Sequence, residues 1–204
     1  MNCLKTTSYN IAIAIVFFTC CKSSTVVDYN ESMKTIGDVK IIKDKLIAAF
    51  GADKMVYNTS IMRKDNKSNE FIYGDISYVE NGIDMSQNYV TTPEERVSPP
   101  KAKILQNPFF LKNAQGAVAL KDLNFDQIPV KVKEAIALIS ADYKDFYLNK
   151  WGYTVDNANK VTANFTIEMA KKREKSEPKG RREIPNYYET NFKMDDSGKV
   201  TLVN

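Results

Sequence analysis

The sequence predicts an α+β fold of two helix-plus-antiparallel-meander units, with the helices on one face of the sheet or sheets. Three observations lead there. Residues 38–50 and 126–139 carry apolar side chains at helical spacing. Each stretch is followed by short runs rich in aromatic and β-branched residues, the composition of strands. The same order of elements occurs twice after a short apolar N-terminal stretch. The body of about 180 residues is long enough for one large domain or two small ones.

The N-terminus has three zones. Residues 1–10 are polar with one base, Lys5; residues 11–18 read IAIAIVFF; then come Thr19, Cys20, Cys21 and Lys22. This is the zone order of a secretory signal. Eight apolar residues are too few for a bilayer, which needs roughly 20 in a helix. The spelling FFTCCKSS resembles the lipobox of bacterial lipoprotein precursors, in particular those of Bacteroidota. The resemblance implies that residues 1–20 are a signal peptide with a lipobox-like end, cut on the N-terminal side of the cysteine that carries lipid, Cys20 (alternatively Cys21), and that residues 21–34 are a polar tether. It places the body in the bacterial cell envelope, lipid-anchored and facing the periplasm. Cys20 is favoured because Phe17, Phe18 and Thr19 continue the apolar approach. The family pattern has a small residue before the cysteine, and Thr19 is one methyl larger than serine. An ordinary secretory signal and a buried N-terminal strand are the alternative readings.

Composition narrows the chemistry. The three cysteines are Cys3, Cys20 and Cys21, and the chain has no histidine. The body therefore has neither a thiolate nor an imidazole base, which removes Ser-His-Asp and Cys-His catalysis. Zinc, copper and non-haem iron sites draw mainly on the same two residue types. Carboxylate pairs, Ser-Lys pairs, a lysine Schiff base and oxygen-ligated calcium or magnesium are what is left. Ser98-Pro99-Pro100-Lys101 and Ser176-Glu177-Pro178-Lys179 both spell S-x-x-K, but their prolines oppose the helical turn that joins the two side chains. Asp156 to Lys160 and Asp65 to Asn69 look faintly like calcium loops. Neither has Gly at the sixth position, and Ala158 or Lys67 stands at the third. Both read as hairpin turns. The expectation is no catalytic residue, no metal and no cofactor.

The net charge of +4 is unevenly placed. Residues 22–100 hold 10 bases against 12 acids, whereas residues 101–204 hold 18 against 13. Most of that excess lies in KKREKSEPKGRRE, residues 171–183. Its bases are Lys171, Lys172, Arg173, Lys175, Lys179, Arg181 and Arg182. They read as a solvated loop between strands or, alternatively, as a contact for an anionic surface such as lipid headgroups or an acidic partner. Nucleic acid is not expected, since the run lacks interleaved aromatics.

The first unit, residues 35–92, opens with Asp38 as N-cap, continues with Val39, Ile42, Leu46, Ala49 and Phe50 on one stripe, and ends its helix at Gly51. Strands are expected over 55–64, 70–79 and 83–90, with Asn81-Gly82 as a hairpin turn. Residues 93–112 read as an extended, exposed linker with Pro93, Pro99, Pro100 and Pro108. Within it, Phe109 and Phe110 are expected to pack under the sheet or, alternatively, to form an exposed contact. In the second unit, residues 113–204, Asp126 caps a helix with Pro129 in its first turn and Val132, Ala135, Ile136 and Ile139 as its stripe. Strands are expected over 146–155, 161–171, 186–194 and 199–203. Trp151, Tyr153, Phe165, Ile167, Tyr187 and Phe192 are the expected core.

The second unit, from IPVKVKEAIALISADYKDF through YYETNFKMDDSGKV, resembles the PepSY-like domains of Bacteroidota periplasmic proteins, related in fold to beta-lactamase inhibitor proteins. The long basic insertion at 171–183 departs from that pattern. The resemblance implies binding or inhibition by an open sheet face, and it carries over no site residue. The leading expectation is therefore a non-enzymatic envelope binding module whose partner is an envelope protein or polymer. A structural or assembly lipoprotein subunit and a carboxylate hydrolase stand behind it. An exposed aromatic patch on one sheet face would favour the first.

Overall fold

The computed structural model describes residues 36–63, 71–91, 94–103, 116–172, 177–179, 182–184 and 186–203. Helix α1 is Ile36–Phe50. It is followed by β1 (Met55–Val56), β2 (Asn58–Arg63), β3 (Phe71–Glu80), β4 (Ile83–Val90), β5 (Arg96–Val97), β6 (Lys101–Ala102) and β7 (Val118–Ala119). Helix α2 is Ile128–Ala137. After it come β8 (Tyr143–Val155), β9 (Val161–Lys171), β10 (Glu177–Lys179), β11 (Arg182–Ile184), β12 (Tyr187–Met194) and β13 (Val200–Val203). The molecule is broadly α+β, dominated by antiparallel sheet.

One nine-stranded sheet joins both halves in the order β13-β12-β9-β8-β2-β3-β4-β5, with β6 also paired to β4. Its centre is the antiparallel pairing of β2 with β8. From that pair each half runs outward as a meander. The two expected units are thus halves of one sheet, joined through their first long strands. The stretch expected as a linker does more than connect. Val97 pairs with Tyr89 and Ala102 with Met85, so β5 and β6 complete the sheet edge. Pro99 and Pro100 sit between them, where a missing N–H costs no ladder bond.

Register gives the faces. Phe192, Phe165, Trp151, Ile61, Gly74 and Tyr89 are successive partners across six strands. Trp151, Phe165 and Phe192 are stacked ring on ring, with centroids 4.5 and 5.4 Å apart. These residues join one buried cluster with Val39, Ile42 and Leu46 of α1 and Ile128, Val132 and Ala135 of α2. Phe125, in the 3-10 turn Phe125–Gln127 before α2, meets the Tyr153 ring edge-on at 5.5 Å. The Tyr153 hydroxyl donates to the Asn124 carbonyl at 2.6 Å, fixing where α2 enters.

Several local expectations are corrected. The α1 helix begins at Ile36, so Asp38 lies inside its first turn instead of capping it. Gly51 does end the helix, with φ +93° and its N–H on the Ile47 carbonyl. Asp126 belongs to the 3-10 turn, and the residue preceding α2 is Gln127, which makes no side-chain cap. Tyr187 is not core. It shares a face with Asn191, opposite Phe192, and meets Tyr147 edge-on. Phe109 and Phe110 lie outside the described residues.

Candidate functional site

The face opposite the stacked rings is polar across both halves. Lys193, Asn164, Gly152, Ser60, Asp75 and Asn88 are successive partners across β12, β9, β8, β2, β3 and β4. The rank on one side holds Asn191, Thr166 and Lys150; the rank on the other holds Thr154, Asn58 and Ser77. Period-two alternation puts all of these on one face because their neighbours in sequence, Phe165, Trp151 and Phe192 among them, fill the core. A groove of about 470 Å³ lies over Gly152 between these ranks. Its side chains are cross-linked: Ser60 Oγ donates to Asp75 Oδ2 at 2.5 Å, Thr166 Oγ1 to Asn191 Oδ1 at 2.7 Å, and Asn58 Nδ2 to Thr154 Oγ1 at 3.3 Å.

Further along β8, β9 and β12 the same face changes character. Asn149, at a register shift in β8, donates to Glu168 at 3.0 Å and to Glu189 at 3.2 Å. Beyond it stand Tyr147 and Tyr187, half-buried, with ring centroids 5.9 Å apart. The large ring stack is core, so the face offers this tyrosine pair in place of the broad aromatic patch that would favour a binding module.

A second polar cluster lies in the first half. Tyr57 and Asp84 are buried, at 3 % and 4 % exposure. The Tyr57 hydroxyl donates to Asp84 Oδ1 and accepts from Lys103 Nζ, both at 2.5 Å, and Lys103 Nζ is 3.5 Å from Asp84. Burial first, and the Asp84 carboxylate second, push the Tyr57 hydroxyl well above its ordinary pKa. The Lys103 amide also donates to the Asp84 carbonyl at 2.9 Å, so the cluster fastens the end of β6 to β4. Sequence reading missed it, because residues 27 and 46 positions apart share no local signal.

The expected site residues are scattered. Cys20, Cys21, Arg173, Lys175 and Arg181 lie outside the described residues. Lys171 and Lys172 are exposed at the end of β9, and Lys179 pairs with Arg182 in the β10–β11 hairpin. Ser98 and Lys101 lie on either side of Pro99-Pro100, Lys101 in β6, without the helical turn a Ser-Lys pair needs; Ser98 Oγ accepts the Asn88 amide at 2.8 Å. Ser176 and Asp65 to Asn69 fall outside the described residues. Asp156 to Lys160 is a hairpin turn, in which Asp156 Oδ1 accepts the Ala158 and Lys160 amides at 2.8 and 2.9 Å. Among the described residues no group of three or more acidic, His or Cys side chains is placed to hold a metal ion. No helix among them is long and apolar enough to cross a membrane. Comparison with protein-family models, curated proteins and solved structures found no match for the chain.

Proposed function

We propose that this chain is a lipid-anchored envelope protein whose sheet is a non-enzymatic binding surface, with both helices closing one face and the other left for a partner. The observation that carries the reading is the split between the faces. One gathers Trp151, Phe165, Phe192 and the buried stripes of both helices, and the other gathers amides and hydroxyls around a groove. Burial on one side only is what an antiparallel sheet adopts when its second side meets water or a partner. The resemblance of the second half to PepSY-like domains points the same way. The anchor is the lipid on Cys20, or on Cys21, and the base-rich run 171–182 supplies charge complementary to the anionic headgroups beside it. Metabolic labelling with a radiolabelled fatty acid tests the anchor. Label is expected on the wild type and absent from Cys20→Ser/Cys21→Ser, which should shift to the soluble fraction. A double variant that still takes up label, or fractionates as before, removes the anchored reading.

The runner-up is a structural subunit of an envelope assembly. It is favoured by one observation, the short edge strand β13, where Leu202 and Val203 are 46 % and 47 % exposed.

A further inference from the structure

We infer that the groove over Gly152 binds a neutral, polyhydroxylated ligand, a segment of carbohydrate chain. The inference rests on the reading of this face as a binding surface and names what it takes. Six of the groove's side chains, Asn58, Ser60, Thr154, Asn164, Thr166 and Asn191, are uncharged and offer both donors and acceptors. Its two charges, Asp75 and Lys150, are of opposite sign. A site for an anion needs an excess of bases and a site for a cation an excess of acids; this one has neither. A protein partner is usually held by exposed tryptophan, tyrosine or arginine in a desolvated centre, and the centre here is glycine. Hydroxyl groups arrayed along a sugar chain fit a lining rich in side chains that both give and accept hydrogen bonds, to which Phe165, Phe192 and Val203 add apolar surface.

Gly152 supplies an independent observation. Glycine in mid-strand costs stability and commonly marks a close approach by a ligand or another chain. The backbone does not require it here. A Cβ at Gly152 would meet Ser60 Cβ at 3.6 Å and the Asn164 carbonyl at 3.7 Å, ordinary contact distances, and its φ is not positive. The fold would accept a side chain, but the groove would lose its floor.

The groove is also prearranged. Asn191 Oδ1 is occupied by the Thr166 hydroxyl, which leaves its Nδ2 for a ligand. Ser60 Oγ is turned onto Asp75 Oδ2, and both residues line the groove. Asn164 and Lys150 make no side-chain hydrogen bond or ion pair among the described residues. The volume of about 470 Å³ lies within the roughly 300–1,000 Å³ of small-molecule sites. The polar lining continues through Asn149 to the Tyr147–Tyr187 pair, whose rings give the apolar face of a sugar a surface to lie on.

The test is affinity electrophoresis of the full chain, in mild detergent, through gels containing dextran, yeast mannan, xyloglucan or arabinogalactan as neutral probes, with heparin and polygalacturonate as charged ones. At least one neutral polysaccharide should retard the wild type. Gly152→Leu, which fills the groove, and Asn164→Ala/Asn191→Ala, which removes two surface amides and leaves the core alone, should each weaken that retention more than about tenfold. Ile41→Ser, on the exposed side of α1, should keep it. Retention that ignores both groove variants, no neutral retention at all, or preference for the charged probes overturns the carbohydrate assignment. A photo-crosslinking residue at position 152 separates the two levels. If neutral glycans fail but the crosslinker captures a protein in the native envelope, the face binds and only the ligand class is wrong. If both fail, the binding-surface reading falls as well.

Discussion

On the β8 side of the central strand pair, the rank of core positions is filled by Trp151, Phe165 and Phe192, three rings stacked across neighbouring strands. On the β2 side the same rank continues as Ile61, Gly74 and Tyr89. The backbone plan is shared, a helix and then strands laid outward, but the interiors are built from different forces. The second half relies on ring burial and close contact, which salt barely touches. The first half adds polar fastenings to its share of the core. Lys45 of α1 pairs with Glu95 just before β5, Lys54 sits 3.4 Å from the centre of the Tyr78 ring, and Tyr57, Asp84 and Lys103 hold β6. A sheet edge made of two-residue strands has too few ladder bonds to hold itself, and these side chains supply the rest.

The largest test of that contrast removes the ring at the centre. Trp151→Ala should destabilise the protein by about 3–5 kcal/mol, the range for emptying a buried aromatic site. Ile61→Val, its register partner on the other side of the pair, should cost about 0.5–1.5 kcal/mol. Urea unfolding followed by far-UV circular dichroism measures both. Equal costs would mean that the second half holds no special share of the core.

Alkaline pH should sharpen the comparison. Burial raises the hydroxyl pKa of Tyr57 in the first half and of Tyr153 in the second, and the Asp84 carboxylate adds to the effect at Tyr57. Unfolded tyrosine ionises near pH 10. Below that value both states keep the proton and stability is flat. Above it the unfolded chain gives up protons that the native state retains, so stability falls as pH rises, by up to about 1.4 kcal/mol per pH unit for each such group. Tyr57→Phe and Tyr153→Phe should each flatten the fall. Because the Tyr57 hydroxyl also bonds Asp84 and Lys103, only Tyr57→Phe should at the same time speed hydrogen exchange at the Lys103 amide. If Tyr153→Phe does this equally, the cluster is not what fastens β6.

These differences mark how far the sequence could be read. The β3–β4 hairpin was legible because Asn81 and Gly82, at φ +51° and +75°, are the residue types that tolerate two left-handed positions in succession. The β2–β8 pairing was not, since a strand's partner 90 residues away leaves no trace in its own pattern. Tyr187 was misplaced by composition, although parity from Phe192 sets it on the other face. The short strands β5 and β6 were hidden because prolines and charges look alike in a linker and at a sheet edge. The groove left a signal that was not used. Thr162, Asn164, Thr166 and Glu168 alternate with core residues along β9, and Gly152 interrupts β8 without a turn to justify it. Such a run reads as an ordinary wet face until register brings Asn58, Ser60 and Asp75 beside it.

The smallest expected effect lies in two turns that solve one problem twice. Asp156 Oδ1 accepts the amides of Ala158 and Lys160, and Asp195 Oδ1 those of Ser197 and Lys199. In each turn the fourth residue is left-handed: Asn159 at φ +59°, Gly198 at φ +82°. Glycine suits that conformation best, so the asparagine has a second task. Asn159 Oδ1 accepts the Ala117 amide at 3.0 Å, beside Gly116, where a Cβ would lie 1.4 Å from the Asp156 carbonyl oxygen. The chain entering β7 is pressed against this turn, and the turn beyond β12 has no such duty. Asn159→Gly relieves the left-handed strain but loses that bond, and the two nearly cancel, leaving a change of about 0.5 kcal/mol or less. Its visible consequence should be faster hydrogen exchange at Ala117 with the unfolding midpoint almost unmoved. A large drop in stability would show that the Ala117 contact anchors β7, and through its pairing with β1 the first half, and the division of labour between ring core and polar fastenings would have to be redrawn around it.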